Sequence, residues 1–390
     1  MKKIPENEIN SRCENLRNRL AGKGVDFCLI LQNVSRYYFS GSMQDGVFLL
    51  HRDHEPVLFV KRTLERAKKE SPVKQVKGFK DIDAIQVYVH DHNLKKGVIG
   101  LEMDVIPARM YQTFLSLFPE AGFVDISMDI RSIRAVKSKY ELSRLVEGGR
   151  RLDRVFLNLR DEFKPGITEL ELNMKLNELF LKEGSSLIVR ARRFNMEVFP
   201  STVLSGSSAS LHSMMDSPSG GGEGICTAFP FGAGFKKLGT GEPVLIDVAF
   251  NHDGYIVDCT RIFAIGDLDR TFKKAHGVSM DIHSMFREMI MEQKAVSEIC
   301  DDIYMYVEKH GLSGEFMGGA NFIGHGVGLE LDELPIVNSR SEVRLIEGMV
   351  VAFEPKFVFK NGCVGYEDTY YIEQKEIITV NKTGGEIHFL

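Results

Sequence analysis

The chain has 390 residues, enough for two domains, and at 43% hydrophobic and 26% charged its composition is that of an ordinary globular protein. A net charge of −5 and a pI near 6.2 give no basic footprint for nucleic acid. No apolar run approaches the roughly 18 residues of a spanning helix, and Met1-Lys2-Lys3 has no apolar core behind it, so neither a membrane partner nor a signal peptide is expected.

Residues 8–22 read as a helix, followed by short buried strands at 27–31, 47–50, 57–60, 98–101 and 123–126. Short apolar runs between helices and turns predict a small α/β domain over 1–130. From Ser138 a long amphipathic helix begins, with Leu142, Leu145, Val146, Leu152, Val155, Phe156 and Leu159 at three- and four-residue spacing. Ser138 and Glu141 form its capping-box start. A second helix is expected over about 168–183, entered through Pro165-Gly166, and two more within 268–310, where Val278, Ile282, Met285, Phe286 and Met289 share a stripe. The segment 213–241, containing Ser217-Pro218-Ser219-Gly220-Gly221-Gly222, reads as a long loop of the kind that usually carries function or disorder. The six cysteines are scattered without a CxxC, which fits a reducing cytoplasm, and Cys259 and Cys363 read as packing residues.

The last third holds the chemistry. Asp247 and Asp258 flank Asn251-His252-Asp253-Gly254, Glu354 and Glu367 flank Lys360-Asn361-Gly362, and His325 sits within Gly324-His325-Gly326-Val327-Gly328. Each acidic pair straddles a turn signal and so marks a candidate hairpin. A four-residue loop at 251–254 puts the aspartates directly opposite each other. A turn on Lys360-Asn361 does the same for the glutamates, while a turn on Asn361-Gly362 makes them diagonal. Facing like charges destabilise a sheet, so a chain that does this twice needs a cation or shifted protonation. Four carboxylates and one imidazole suit a pair of divalent ions such as manganese, cobalt, iron or zinc.

Several stretches carry a resemblance: Val244-Leu245-Ile246-Asp247, Gly254-Tyr255-Ile256-Val257-Asp258-Cys259-Thr260-Arg261, the glycine run around His325, Phe353-Glu354-Pro355 and Tyr366-Glu367-Asp368-Thr369. Together they resemble the pita-bread metallopeptidases, a group that includes prolidase, aminopeptidase P, methionine aminopeptidase and creatinase. Arg134 to Glu141 looks like the entry to that catalytic domain, and Asn33 to Gly41 like the N-terminal domain of the prolidase and creatinase branch. The resemblance implies an α/β N-terminal domain and, over 131–390, an α+β pita-bread catalytic domain with antiparallel sheet. It also implies a cytoplasmic homodimer acting on a small peptide. Asp258 and Glu367 would bridge two metals, with Asp247 on one and His325 and Glu354 on the other. Glu354 would carry a proton to the leaving amine, and His212 would contact substrate.

This sequence departs from the family pattern at three places. Relatives that cleave next to proline or methionine carry a second histidine where this chain has Asp332. Many proline-cleaving relatives carry an arginine where it has Gly365, and the link from His212 to Asp247 is longer than usual. The expected function is a dinuclear hydrolase of short peptides, of the Xaa-Pro dipeptidase or aminopeptidase kind. The alternatives are a metal-dependent lyase or C–N hydrolase of a small metabolite, and a catalytically silent binding protein.

Overall fold

The computed structural model describes residues 3–164, 166–214, 220–374 and 376–390; Pro165 and the Ser217-Pro218-Ser219 part of the long loop lie outside them. The chain divides into two compact units, Met1–Arg134 and Ala135–Leu390.

The first unit runs α1 (Glu6–Ala21), β1 (Phe27–Ile30), α2 (Asn33–Ser40), β2 (Gly46–His51), β3 (Val57–Val60), α3 (Leu64–Glu70), β4 (Gln75–Gly78), α4 (Asp83–Asp91), β5 (Val98–Leu101), α5 (Ala108–Leu117), β6 (Gly122–Asp125) and α6 (Ser127–Ala135), the last ending just past the boundary. Its mixed sheet has the order β4-β3-β2-β1-β5-β6. Every residue of β1, β2 and β3 is buried, which is why those strands read as continuous apolar runs rather than alternating ones. Their side chains meet Ile85 and Val89 of α4 and Phe114 of α5. The strand with no sequence signal is β4, Gln75-Val76-Lys77-Gly78, a short polar strand at the sheet edge.

The second unit continues with α7 (Lys139–Leu159), α8 (Glu169–Lys182), β7 (Ser201–Ser205), β8 (Pro243–His252), β9 (Tyr255–Ala264), α9 (Arg270–Met291), α10 (Val296–Lys309), β10 (Gly324–Gly326), β11 (Glu333–Val337), β12 (Val350–Phe353), β13 (Lys356–Phe359), β14 (Gly362–Gly365), β15 (Asp368–Glu373), β16 (Glu376–Thr379) and β17 (His388–Phe389). Ser138 caps α7 through the expected capping box with Glu141. The sheets are β17-β9-β8-β7, β11-β10-β12-β15-β16 and the hairpin β13-β14; all pairings are antiparallel except β17 with β9. Val278, Ile282, Phe286 and Met289 of α9 pack with Ile299 and Ile303 of α10 against Phe353 and Phe357.

The β8–β9 hairpin corrects one expectation. Asp253 and Gly254 both take positive φ (49° and 92°), and they alone form the turn, adding the pairs Asn251↔Ile256 and His252↔Tyr255. Positive φ at both central residues is the signature of the tight hairpin turn whose twist matches that of the strands. Asp247 therefore faces Thr260, while Asp258 faces Ala249. The aspartates are diagonal neighbours on one face, not directly opposed.

His283 ties α9 to the sheet, with Nε2 at 2.8 Å from the Tyr366 carbonyl and Nδ1 at 2.8 Å from the Tyr370 hydroxyl. Burial pushes its pKa down to about 3. The unfolded chain takes up this proton first, near pH 6.5, so the stability His283 provides is complete above that pH and lost as pH falls toward 3. Across that window it should cost roughly 1.4 kcal/mol per pH unit. Urea midpoints between pH 7 and pH 5 should fall less steeply in His283→Gln than in the parent; equal slopes would assign the titration elsewhere.

Candidate metal centre

Glycine pattern and strand register place the five expected residues together. In β10, a Cβ on Gly324 would lie 2.5 Å from the Ala352 carbonyl oxygen, and one on Gly326 would lie 2.1 Å from that of Leu334. The two neighbouring strands approach so closely that His325 is the only side chain β10 can carry. Its Nδ1 lies 3.1 Å from the Gly326 carbonyl, so an Nδ1–H donor leaves the Nε2 lone pair free to bind an ion. Nε2 points at Asp258 Oδ2 (3.5 Å) and Glu354 Oε1 (3.6 Å).

The glutamates keep the register of a turn on Lys360-Asn361. Phe353 pairs with Asp368 and Lys356 with Gly365, so Glu354 and Glu367 face each other at the break between two paired segments. Glu367 also bridges to Thr260 of β9, whose hydroxyl donates to Glu367 Oε2 at 2.6 Å. Asp258 is tied to β15 by its N–H, which donates to Thr369 Oγ1 at 3.0 Å. Behind them, the fully buried Arg261 donates to the Glu367 carbonyl at 2.7 Å and pairs with Asp368 at 3.5 Å.

These residues floor a cavity of about 130 Å³ walled by Phe199, Phe231, Phe322 and Leu331. Asp332 also lines it, 3.7 Å from His325 Nδ1. The long loop contributes Ser213, Gly220, Gly221 and Gly232 to the wall. His212, expected at the substrate, is exposed and lies outside this wall; its neighbour Ser213 takes the inward position.

One residue in the centre carried no expectation. Lys356, with a side chain 0% exposed, sends its ammonium among the acids, 3.2 Å from Asp247 Oδ2, 2.9 Å from Glu354 Oε2 and 2.8 Å from Glu367 Oε2. Alternation along an extended chain could have found it, because Lys356 lies two residues beyond Glu354 and so shares its face. The same rule finds Thr260 from Asp258. Burial opposes the charge on Lys356, but Asp247, Glu354 and Glu367 outweigh it and hold its pKa well above the usual lysine range. Even so, the cluster remains short of positive charge. Burial, with Glu367 and Asp247 nearby, pushes Asp258 well above the carboxylate range. Glu354 rises to about 8, driven by burial against the pull of Lys356. His325 is raised as well: burial opposes its protonation, but Asp332 and Glu354 prevail.

The donor set fits one divalent ion. Asp258, His325 and Glu367 each offer a ligand atom, and these atoms lie within 4.8 Å of one another, close to what ligand distances of about 2.0–2.2 Å require. Lys356 stands in the way of a second. A second ion would need Asp247 with the bridging Asp258 and Glu367, and oxygens of Asp247 and Glu367 already lie against the Lys356 ammonium.

The family model described as metallopeptidase family M24 matches residues 143–374, and that of the creatinase/prolidase N-terminal domain matches 12–136. The chain belongs to metallopeptidase family M24. Among curated relatives, it is 26% identical to the uncharacterized peptidase YqhT of Bacillus subtilis and 24% identical to an Xaa-Pro dipeptidase of Pyrococcus furiosus; each alignment covers 97% of this chain and 100% of the relative. Among solved structures, it overlays on the Xaa-Pro dipeptidase from Bacillus anthracis with a TM-score of 0.82 at 23% identity, covering 98% of this chain and 100% of that one. The X-Pro aminopeptidase from Thermotoga maritima gives 0.80 at 21% identity, covering 96% and 99%. The fold is the pita-bread fold of this M24 family, preceded by the creatinase-like domain.

Proposed function

We propose that the protein hydrolyses short peptides, as a dipeptidase or aminopeptidase acting at Xaa-Pro bonds, with a divalent ion held by Asp258, His325 and Glu367. The observation that carries this reading is the convergence of those three ligands at the floor of a small apolar-walled cavity. The names of the M24 relatives agree with it. When bound, the ion would supply an activated water and polarise the scissile carbonyl. The chain's own residues position and carry protons. Glu354 is anchored by Lys356 through Oε2, which leaves Oε1 on the His325 side to take a proton from water and pass it to the leaving amine. Phe199, Phe231 and Phe322 would exclude water and take an apolar side chain or a proline ring. At about 130 Å³ the cavity is small beside the roughly 300–1,000 Å³ of drug-sized pockets, which favours a dipeptide-sized ligand. The proposal includes a cytoplasmic homodimer.

Asp332 favours a second reading, a C–N hydrolase or lyase of a small cationic metabolite. A carboxylate at the cavity wall beside His325 suits a cationic group better than a developing oxyanion. The test is a panel of di- and tripeptides with and without proline, incubated with manganese and read by release of amino acids. Cleavage at Xaa-Pro bonds is expected, and Asp332→His should raise it by about 10²-fold by adding an oxyanion donor. If neither protein cuts any peptide, the peptidase reading fails in favour of the metabolite reading.

A further inference from the structure

We propose that the Lys356 ammonium permanently takes the place of a second metal ion, so that the centre works with one divalent ion at Asp258, His325 and Glu367. The inference rests on reading the cluster as a metal site, but on no assumption about substrate.

Three observations carry it. An ammonium has three N–H donors, and Lys356 meets oxygens of three carboxylates at 2.8–3.2 Å. The cluster is also divided between Lys356 and His325. Glu354 gives Oε2 to Lys356 and turns Oε1 toward His325, while Asp247 gives Oδ2 to Lys356 and Asp258 turns Oδ2 to His325. Finally, the facing strand leaves room for the lysine stem. A Cβ on Gly365, the partner of Lys356 across the β13–β14 hairpin, would lie 2.7 Å from Lys356 Cα, 2.9 Å from its Cγ and 2.6 Å from the Pro355 carbonyl oxygen. Two of these contacts are with backbone, so the close approach of the strands itself calls for glycine at 365; the third shows that a side chain there would also crowd the lysine stem.

Repulsion between like charges points the same way. A second divalent ion placed among Asp247, Glu354 and Glu367 would sit directly against the Lys356 ammonium and be repelled by it. An ammonium stripped of its carboxylates in this interior would be strongly destabilising, so Lys356 and a second ion are mutually exclusive occupants.

The experiment counts metal. The full chain, equilibrated with excess manganese and freed of unbound ion, is assayed by mass spectrometry for manganese per chain. The expected result is about one ion in the parent, about two in Lys356→Ala, and one in Lys356→Arg, which keeps the cation. Asp247→Asn should retain one ion, because Asp247 serves Lys356. Two ions in the parent would overturn the proposal, as would loss of the ion in Asp247→Asn or one ion in a folded Lys356→Ala. The parent and Asp247→Asn counts decide the matter even if Lys356→Ala does not fold. An ion-free parent would overturn the metal reading itself. Failure to cleave peptides, with one ion bound, would count against the proposed substrate alone.

Discussion

Replacing Arg261 by methionine should cost about 3–5 kcal/mol of stability, the usual consequence of removing one partner of a buried ion pair. The guanidinium is fully enclosed; besides Asp368 it donates to the carbonyls of Thr260 (3.0 Å), Glu367 (2.7 Å) and Thr383 (2.7 Å). It also packs with its central carbon 4.7 Å from the centroid of Tyr366. Methionine fills part of the volume but leaves Asp368 without its buried cation and the Thr383 carbonyl without the guanidinium donor. Lysine at 261 should rescue little, since a single ammonium cannot reproduce the planar fork that reaches several acceptors at once. The measurement is the urea midpoint at constant slope. A shift within the range of ordinary surface substitutions, under about 0.5 kcal/mol, would show that Arg261 is not what holds the Glu367 segment to β9.

Asp258→Asn should abolish activity while leaving the ion-free protein at least as stable as the parent. Asp258 is buried among Glu367, Asp247 and Glu354, and that environment already drives its carboxyl toward the neutral form. An amide of the same shape removes a like charge from the cluster, so metal-free melting should be unchanged or higher. The loss falls on the ion. Without a charged ligand at 258, turnover should drop about a thousandfold or more, equivalent to the several kcal/mol that a bound metal supplies to the transition state. Manganese at about 100 times its dissociation constant should stabilise the parent by about 2.7 kcal/mol. It should leave the mutant melting curve unmoved. An equal metal-induced shift in both proteins would remove Asp258 from the ligand set.

Much of the architecture was legible because most elements carry local signals. Ser138 with Glu141 marks the start of α7, and the unbroken apolar runs of β1 to β3 announce strands covered on both faces. Polar β4 was invisible, since its place is set by pairing with β3 rather than by its own composition. The five acidic and imidazole positions could be named from their turns and spacing, but the register of the first hairpin could not. A tight turn on Asp253-Gly254 and a four-residue loop at 251–254 share the same sequence signal, and only positive φ at both central residues separates them. Lys356 carries no sequence signal of its own, since a lysine beside a strand is ordinarily a surface residue. What reveals it is its burial among three acids, with Gly365 opposite. Spacing alone points to His212 and carries no information on its burial; the residue is exposed.

The most direct test of the whole account is a crystal of the full chain grown with manganese, with data collected to record the metal's anomalous scattering. The account predicts a single peak between Asp258, His325 and Glu367, with Lys356 Nζ still in contact with Asp247, Glu354 and Glu367. Two peaks, with the lysine displaced from among the carboxylates, would contradict it.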